Sequence, residues 1–199
     1  MQGVLIETHL RDGTPIRIRP IEAGDKHLLE VGLQQLSDQD RHFRFFAPIS
    51  RLSDDMLHKF TDIDHVDAEA VGALDIGQTP SAPIGVARYF RLAGTPAVAE
   101  VAVTVTHAYQ GRGVGSLLLA VLAGRAVENG ITAFTAMVLY DNRRMLQMFG
   151  ELGASTKLVD GGVVEVDVPL FSDAADYPQT PVGEVFRQAA ALMGRGAAR

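Results

Sequence analysis

The chain contains no cysteine. That excludes a disulfide framework, a thiolate metal site and a cysteine nucleophile, and it fits a reducing compartment. No apolar run approaches the roughly 18 residues that a membrane-spanning helix needs. The start, Met1 to His9, is too short and too soon charged for a secretory signal. Positive charge is in deficit: 18 Lys and Arg against 24 Asp and Glu leave a formal charge of −6. This sign disfavours general nucleic-acid binding and mildly favours a cationic substrate. Tryptophan, internal repeats and low-complexity segments are all missing. The expectation is a soluble cytoplasmic protein with no membrane and no nucleic-acid partner. Apolar residues are plentiful, at 47% of 199, enough to fill the core of one ordinary domain. That domain is expected over residues 1–170, with a tail over 171–199.

The chain is organised around residues 101–120. Val101, Val103 and Val105 alternate with Ala102, Thr104 and Thr106, the period of a strand built from β-branched residues. From Val114 the apolar positions 114, 117, 118, 121 and 122 have the period of a helix. Between them lies Gln110-Gly-Arg-Gly113-Val-Gly115-Ser116. Glycines let the backbone turn through positive φ and let a ligand approach the amides. Helix-start amides lack intrahelical partners and sit at the positive end of the macrodipole, so residues 111–116 form a candidate anion cradle, with Arg112 as a cation at its rim. A nucleotide P-loop is excluded because no Gly-Lys-Ser/Thr follows. The dinucleotide fingerprint is also incomplete: Leu118 stands at its third glycine, and no acidic residue lies about 20 positions after the first.

What remains, Gln110-x-x-Gly113-x-Gly115, resembles the pyrophosphate signature of the GCN5-related N-acetyltransferases (GNAT). A second stretch is more specific: Leu36-Ser-x3-Arg41-x2-Arg44-Phe45-Phe46, then Leu52-Ser53 and Phe60-Thr61-x-Ile63-Asp64. It resembles a segment of bacterial Pat-like protein lysine acetyltransferases. The resemblance implies an α/β (α+β) fold with a mixed, mostly antiparallel sheet of six to seven strands, about four helices and splayed central strands. It also implies acetyl-CoA as co-substrate. On that pattern the pantetheine arm runs between the strands at 101–105 and 132–139, along Val103, Thr104 and Val105. The pyrophosphate lies on Gln110, Gly111, Arg112, Gly113, Val114, Gly115 and Ser116. Asn142 and Met145 touch the arm, although Asn142 also reads as a plain helix N-cap and Met145 as core. The family often carries a tyrosine seven residues after that asparagine as the acid for the leaving thiolate. Here the position is Phe149, which leaves the acid to Tyr140, Tyr109 or water.

Acyl transfer needs a neutral amine. A lysine of pKa about 10.4 spends roughly 4.6 kcal/mol to shed its proton at pH 7 (about 3.4 units at 1.36 kcal/mol each). A base is therefore expected nearby, and Ala99-Glu100-Val-Ala-Val resembles the Pat-like string whose glutamate has that role; the alternative for Glu100 is an exposed strand carboxylate. His107, in the turn, is a poor candidate. The expected acceptor is a protein lysine, with acyl-CoA synthetases as plausible targets. A small amine, or a binding module that senses acetyl-CoA without catalysis, are the alternatives, and either a monomer or a homodimer fits.

The rest reads as scaffold. Residues 14–20 alternate into a first strand with Arg17 and Arg19 outward, and a helix follows over 25–36. Ser37-Asp38 closes that helix or caps the next element, and Ser53 caps a helix through Phe60. Residues 40–48 read as a loop whose Phe43, Phe45 and Phe46 plug the core and whose backbone shapes the acceptor side. Asp62, Asp64, His65, Asp67 and Glu69 read as a solvated loop near the substrate entrance, their spacing fitting no metal site. Strands are expected at 70–76, 84–92 and 132–139, the last buried, then a helix from 141 to Gly153 and a hairpin to 168. Val182, Val185, Phe186, Ala189 and Met193 lie at helical spacing in the tail, to dock or to dimerise. Residues 194–199 are expected to fray.

Overall fold

The computed structural model describes residues 5–196. Eight strands form one sheet in the order β1-β2-β3-β4-β5-β6-β8-β7. They are β1 (Ile6–His9), β2 (Pro15–Pro20), β3 (Ala68–Asp75), β4 (Ala82–Leu92), β5 (Thr95–Val105), β6 (Ala133–Leu139), β7 (Ser155–Val159) and β8 (Val163–Pro169). Six helices accompany them: α1 (Lys26–Gln34), α2 (Asp38–Phe45), α3 (Asp54–Thr61), α4 (Val114–Glu128), α5 (Arg143–Gly150) and α6 (Pro181–Gly196). Every neighbouring pair is antiparallel except β5 with β6, which is parallel.

The sheet is thus the expected mixed, mostly antiparallel one, with eight strands where six to seven were expected and six helices where about four were. The additional strand is β1, four residues at the sheet edge with only Ile6 buried. One additional helix is α2, which replaces the expected loop at 40–48. Ser37 caps it by accepting from the Asp40 amide, while the Asp40 carboxylate reaches back to the Ser37 amide. This reciprocal capping box starts a helix that carries no fully buried residue. Phe46 ends α2 with φ +57° and is exposed, so it is not a core plug; Phe43 and Phe45 are half-buried. Strand β6 is likewise not buried throughout, because Met137 faces solvent.

One face of the sheet packs on α4. Leu118, Leu119, Val121 and Leu122 of α4 meet Ile84, Ala87, Tyr89, Val101 and Val103 of the sheet in one core cluster. The tail docks rather than dangling: Phe186 and Ala189 of α6 join the same cluster. Helix α6 packs on α4 at Gly124, where an added Cβ would overlap the Met193 methyl and oblige that flexible side chain to shift. The helix continues through residue 196. Residues 1–4, part of the stretch set aside as a signal, and 197–199, part of the expected frayed end, lie outside the described residues.

The other face carries α1 and α3, whose Leu33, Leu36, Leu52 and Leu57 form a smaller core. Arg17 faces out to Glu7, whereas Arg19 turns in and grips Asp25 with two bonds of 2.6 and 2.7 Å. Among the described residues no helix is long and apolar enough to cross a membrane.

Candidate active site

Strands β5 and β6 pair only at Val98–Ala133, Ala99–Phe134 and Glu100–Thr135. Beyond Glu100 they diverge, which leaves one edge of β5 without a ladder partner. The backbone alternates along a strand: the Thr106 amide bonds Ile84 of β4, and the Val105 carbonyl points the opposite way, to the Gln110 side chain at 3.2 Å. By that alternation the main-chain groups of Val101 and Val103, with the Val105 amide, open into the gap. Buried backbone donors and acceptors need partners, so the gap suits an extended ligand that bonds the main chain. Thr104 and Ala102 instead turn their side chains toward α1.

The gap widens into a cleft of about 670 Å³. Its walls include Glu100, Val101, Ala102, Val103, Thr104 and Val105 on one side, Ala136, Met137 and Val138 on the other, and Asn142, Met145 and Phe149 from α5. One end is the glycine turn, with Gly111, Gly113, Gly115 and Ser116 in the wall. Gly111 has φ +75° and Gly113, the residue that starts α4, has φ +89°. A Cβ at either would meet no protein atom within 4 Å. The surface over these two residues is therefore open, and only a ligand would occupy it. At Gly115 an added Cβ would make only an ordinary contact, 3.5 Å from Val105. Ser116 bonds the Gly113 carbonyl at 3.0 Å, and Val114 is buried in the core, so each offers the cleft chiefly its backbone. The turn fits the pyrophosphate of a coenzyme A thioester: unpaired helix-start amides, a positive dipole end and no side chain in the way.

Two residues of the motif spend their side chains on protein partners, although Gln110 also lines the cleft. Gln110 donates to Asp40 Oδ1 at 2.7 Å and to the Val105 carbonyl, and accepts from Arg144 at 2.8 Å, so it ties the turn to α2, β5 and α5. Arg112 is not a rim cation. It stacks on Tyr109 and binds Asp12 and Thr14, outside the cleft wall. The arginines in the wall are Arg44, at the Glu100 end, and Arg143 and Arg144 of α5; the last two have no place in the sequence-based expectation. Their signal was present, since two arginines in the first turn of a helix oppose its dipole and need a reason to be there. Arg143 stacks over Tyr140 at 4.0 Å.

Asp40 is a hub. Burial works to raise its carboxyl, and bonds from Ser37, Gln110 and His107 outweigh that and hold it below the ordinary carboxylate range. His107 is spent on this contact at 3.3 Å. Asn142 caps α5, accepting from the Met145 amide at 3.3 Å, and lines the cleft as well. Phe149 is 2% exposed and has no proton to give. Of the alternative acids, Tyr140 lies outside the wall. Tyr109 lines it, but its hydroxyl donates to Asp75 at 2.6 Å. Burial and the Asp75 carboxylate both push that phenol up.

Glu100 sits where β5 and β6 part, exposed, at the opposite end of the cleft from the glycines. Arg44 of α2 lies across from it, depressed from the usual arginine range by burial and partly restored by the Glu100 charge. The acidic stretch 62–69 is not near this entrance. Asp64 accepts three backbone amides, Asp67 holds Arg91, and the buried Glu69 holds His65 and Arg125. Among the described residues no group of three or more acids or imidazoles is placed to hold a metal.

The family model described as Acetyltransferase (GNAT) family matches residues 35–154. Acetyltransferase Pat of Mycolicibacterium smegmatis is 34% identical over 166 residues, 82% of this chain and 49% of that protein. An acetyltransferase of Pseudomonas aeruginosa is 31% identical over 144 residues, 72% of this chain and 77% of that one. The GNAT domain of S. lividans PAT superposes with a TM-score of 0.75 at 39% identity, over 83% of this chain and 97% of that domain. The chain spans about half the length of the Mycolicibacterium relative. From residue 35 to residue 154, through the splayed strands and the glycine turn, this chain belongs to the GNAT family of acetyltransferases.

Proposed function

We propose that the chain is an acetyl-CoA-dependent N-acetyltransferase that modifies protein lysine side chains by direct transfer, with Glu100 as general base. The observation that carries the reading is the cleft itself: it runs from the positive-φ glycines at the start of α4 to the carboxylate of Glu100, between strands whose facing backbone has no partner. A pyrophosphate on the glycine amides and a pantetheine arm along Val103 and Val105 would bring the thioester carbonyl toward Glu100. The lysine nitrogen attacks that carbonyl, the C–N bond forms and the C–S bond breaks. Glu100 takes the proton from nitrogen directly or through a water, and coenzyme A leaves as the thiol after protonation by water. Water serves as the acid because Phe149 cannot and Tyr109 is held by Asp75. An exposed carboxylate also attracts the cationic form of lysine before it is deprotonated.

Acyl-CoA synthetase-type proteins are the preferred targets. Incubating a host lysate with labelled acetyl-CoA tests this: label is expected on protein, at lysine. Label confined to small amines transfers the reading to a small-molecule acetyltransferase. Phe149 in the tyrosine's place favours a second reading, an acetyl-CoA-binding module without turnover, which predicts binding and no label anywhere.

A further inference from the structure

Beneath α1 and α3 lies a second, separate cavity of about 80 Å³. It has room for a few waters, or for a group of a few heavy atoms. Its walls are mostly apolar, among them Leu28, Leu29, Leu33 and Phe60, and three arginines line it: Arg19, which is held by Asp25, and Arg44 and Arg88. Arg88 is 4% exposed, its guanidinium stacked on Phe60 at 3.9 Å with one long bond to the Phe60 carbonyl at 3.4 Å. Arg44 rests on Phe45 at 5.1 Å. Among the described residues neither has a carboxylate within ion-pair distance. Burial, with the Arg44 charge beside it, lowers Arg88 to about 9. A buried Arg88 with no carboxylate partner, beside a half-buried Arg44 whose nearest acid, Glu100, lies beyond ion-pair distance, is costly to fold and is relieved by an anion from outside.

The cavity abuts the cleft. Arg44, Ala102 and Thr104 line both spaces, and Arg44 stands between Glu100 and Arg88. A chain growing from a thioester carbonyl near Glu100 would pass Ala102 and Thr104 into this cavity. We propose that the cavity beneath α1 and α3 is an acyl pocket that takes the carboxylate end of a dicarboxylic acyl-CoA, a succinyl thioester being the size that fits, with Arg88 and Arg44 as its binding groups. The extra carboxymethyl of such a chain, compared with acetyl, matches the room available. The carboxylate itself takes no part in the transfer. The inference rests on the reading that a coenzyme A thioester occupies the cleft, and it extends that reading from acetyl donors to charged ones.

The test is calorimetric binding of acetyl-CoA, butyryl-CoA and succinyl-CoA to the wild type, to Arg88→Met and to Arg44→Gln. Succinyl-CoA is expected to bind tighter than butyryl-CoA, which has the same number of acyl carbons, by about tenfold or more, the size of one charge-assisted hydrogen bond. That advantage should vanish in either variant, while acetyl-CoA affinity stays unchanged in Arg88→Met. The wild-type comparison decides the matter even if Arg88→Met does not fold. Succinyl-CoA binding no better than butyryl-CoA, with acetyl-CoA bound normally, overturns the acyl pocket alone. Free succinate that stabilises the acetyl-CoA complex, with no preference for succinyl-CoA, also overturns it, by assigning the arginines to a separate ligand. Failure of all three thioesters to bind removes the coenzyme reading and this inference with it.

Discussion

Gln110 and Asp40, 70 residues apart in sequence, are joined by a 2.7 Å bond from the amide nitrogen to the carboxylate. Through it the turn that starts α4 is fixed to helix α2. The glutamine of the pyrophosphate motif therefore works as a brace. Replacing either residue by alanine is expected to destabilise the fold by about 1–2 kcal/mol. The double variant should lose less than the sum, with a coupling of at least ~0.5 kcal/mol. Additive losses in denaturant melts would separate the two residues.

Gly113→Val tests the cradle. The site has no protein atom within 4 Å of the new Cβ but has φ +89°, so the variant pays only backbone strain, about 1–2 kcal/mol. It should still fold, and it should bind acetyl-CoA markedly more weakly, because the side chain occupies the space over the amides. Unchanged affinity in calorimetry would remove the cradle from this account.

The grip of Arg19 on Asp25 sets an acid-sensitive contribution to stability. Burial raises the Asp25 carboxyl, and the Arg19 guanidinium and the Glu22 amide outweigh it, so its folded pKa lies below the ordinary value. A depressed carboxylate stabilises fully above its unfolded pKa of about 3.9 and loses that contribution as pH falls through the folded value. Asp25→Asn should lower stability at pH 7 by about 1.5–3 kcal/mol. The gap from the wild type should narrow as pH drops below about 4. A gap that is constant down to acid pH would contradict the assignment.

The strand, glycine turn and helix at 101–128 were legible because their signals are local: β-branched alternation, glycines where φ turns positive, then helical spacing. Helix α2 was not, because it buries no residue completely and its aromatic and basic residues follow no clean apolar stripe. Only its capping box, Ser37 with Asp40, was there to be read. Strand β1 is four residues at an edge, too short for a period to register. Arg112 was misassigned because its partner, Asp12, is 100 residues away, and side-chain pairings at such separations leave no mark on local pattern. The same holds for the cavity around Arg88, which exists only once α1, α3 and the sheet have packed.

Turnover by Glu100→Gln tests the central claim most directly. The substitution keeps the shape at the point where β5 and β6 part and removes the proton acceptor. Transfer of label from acetyl-CoA to lysine at pH 7 should fall by about 10²–10⁴-fold, as for a lost general base. Acetyl-CoA affinity should change little, and the deficit should shrink toward pH 10 as free amine becomes abundant. Near-normal turnover at pH 7 in the glutamine variant would contradict the account and return Glu100 to an exposed strand carboxylate.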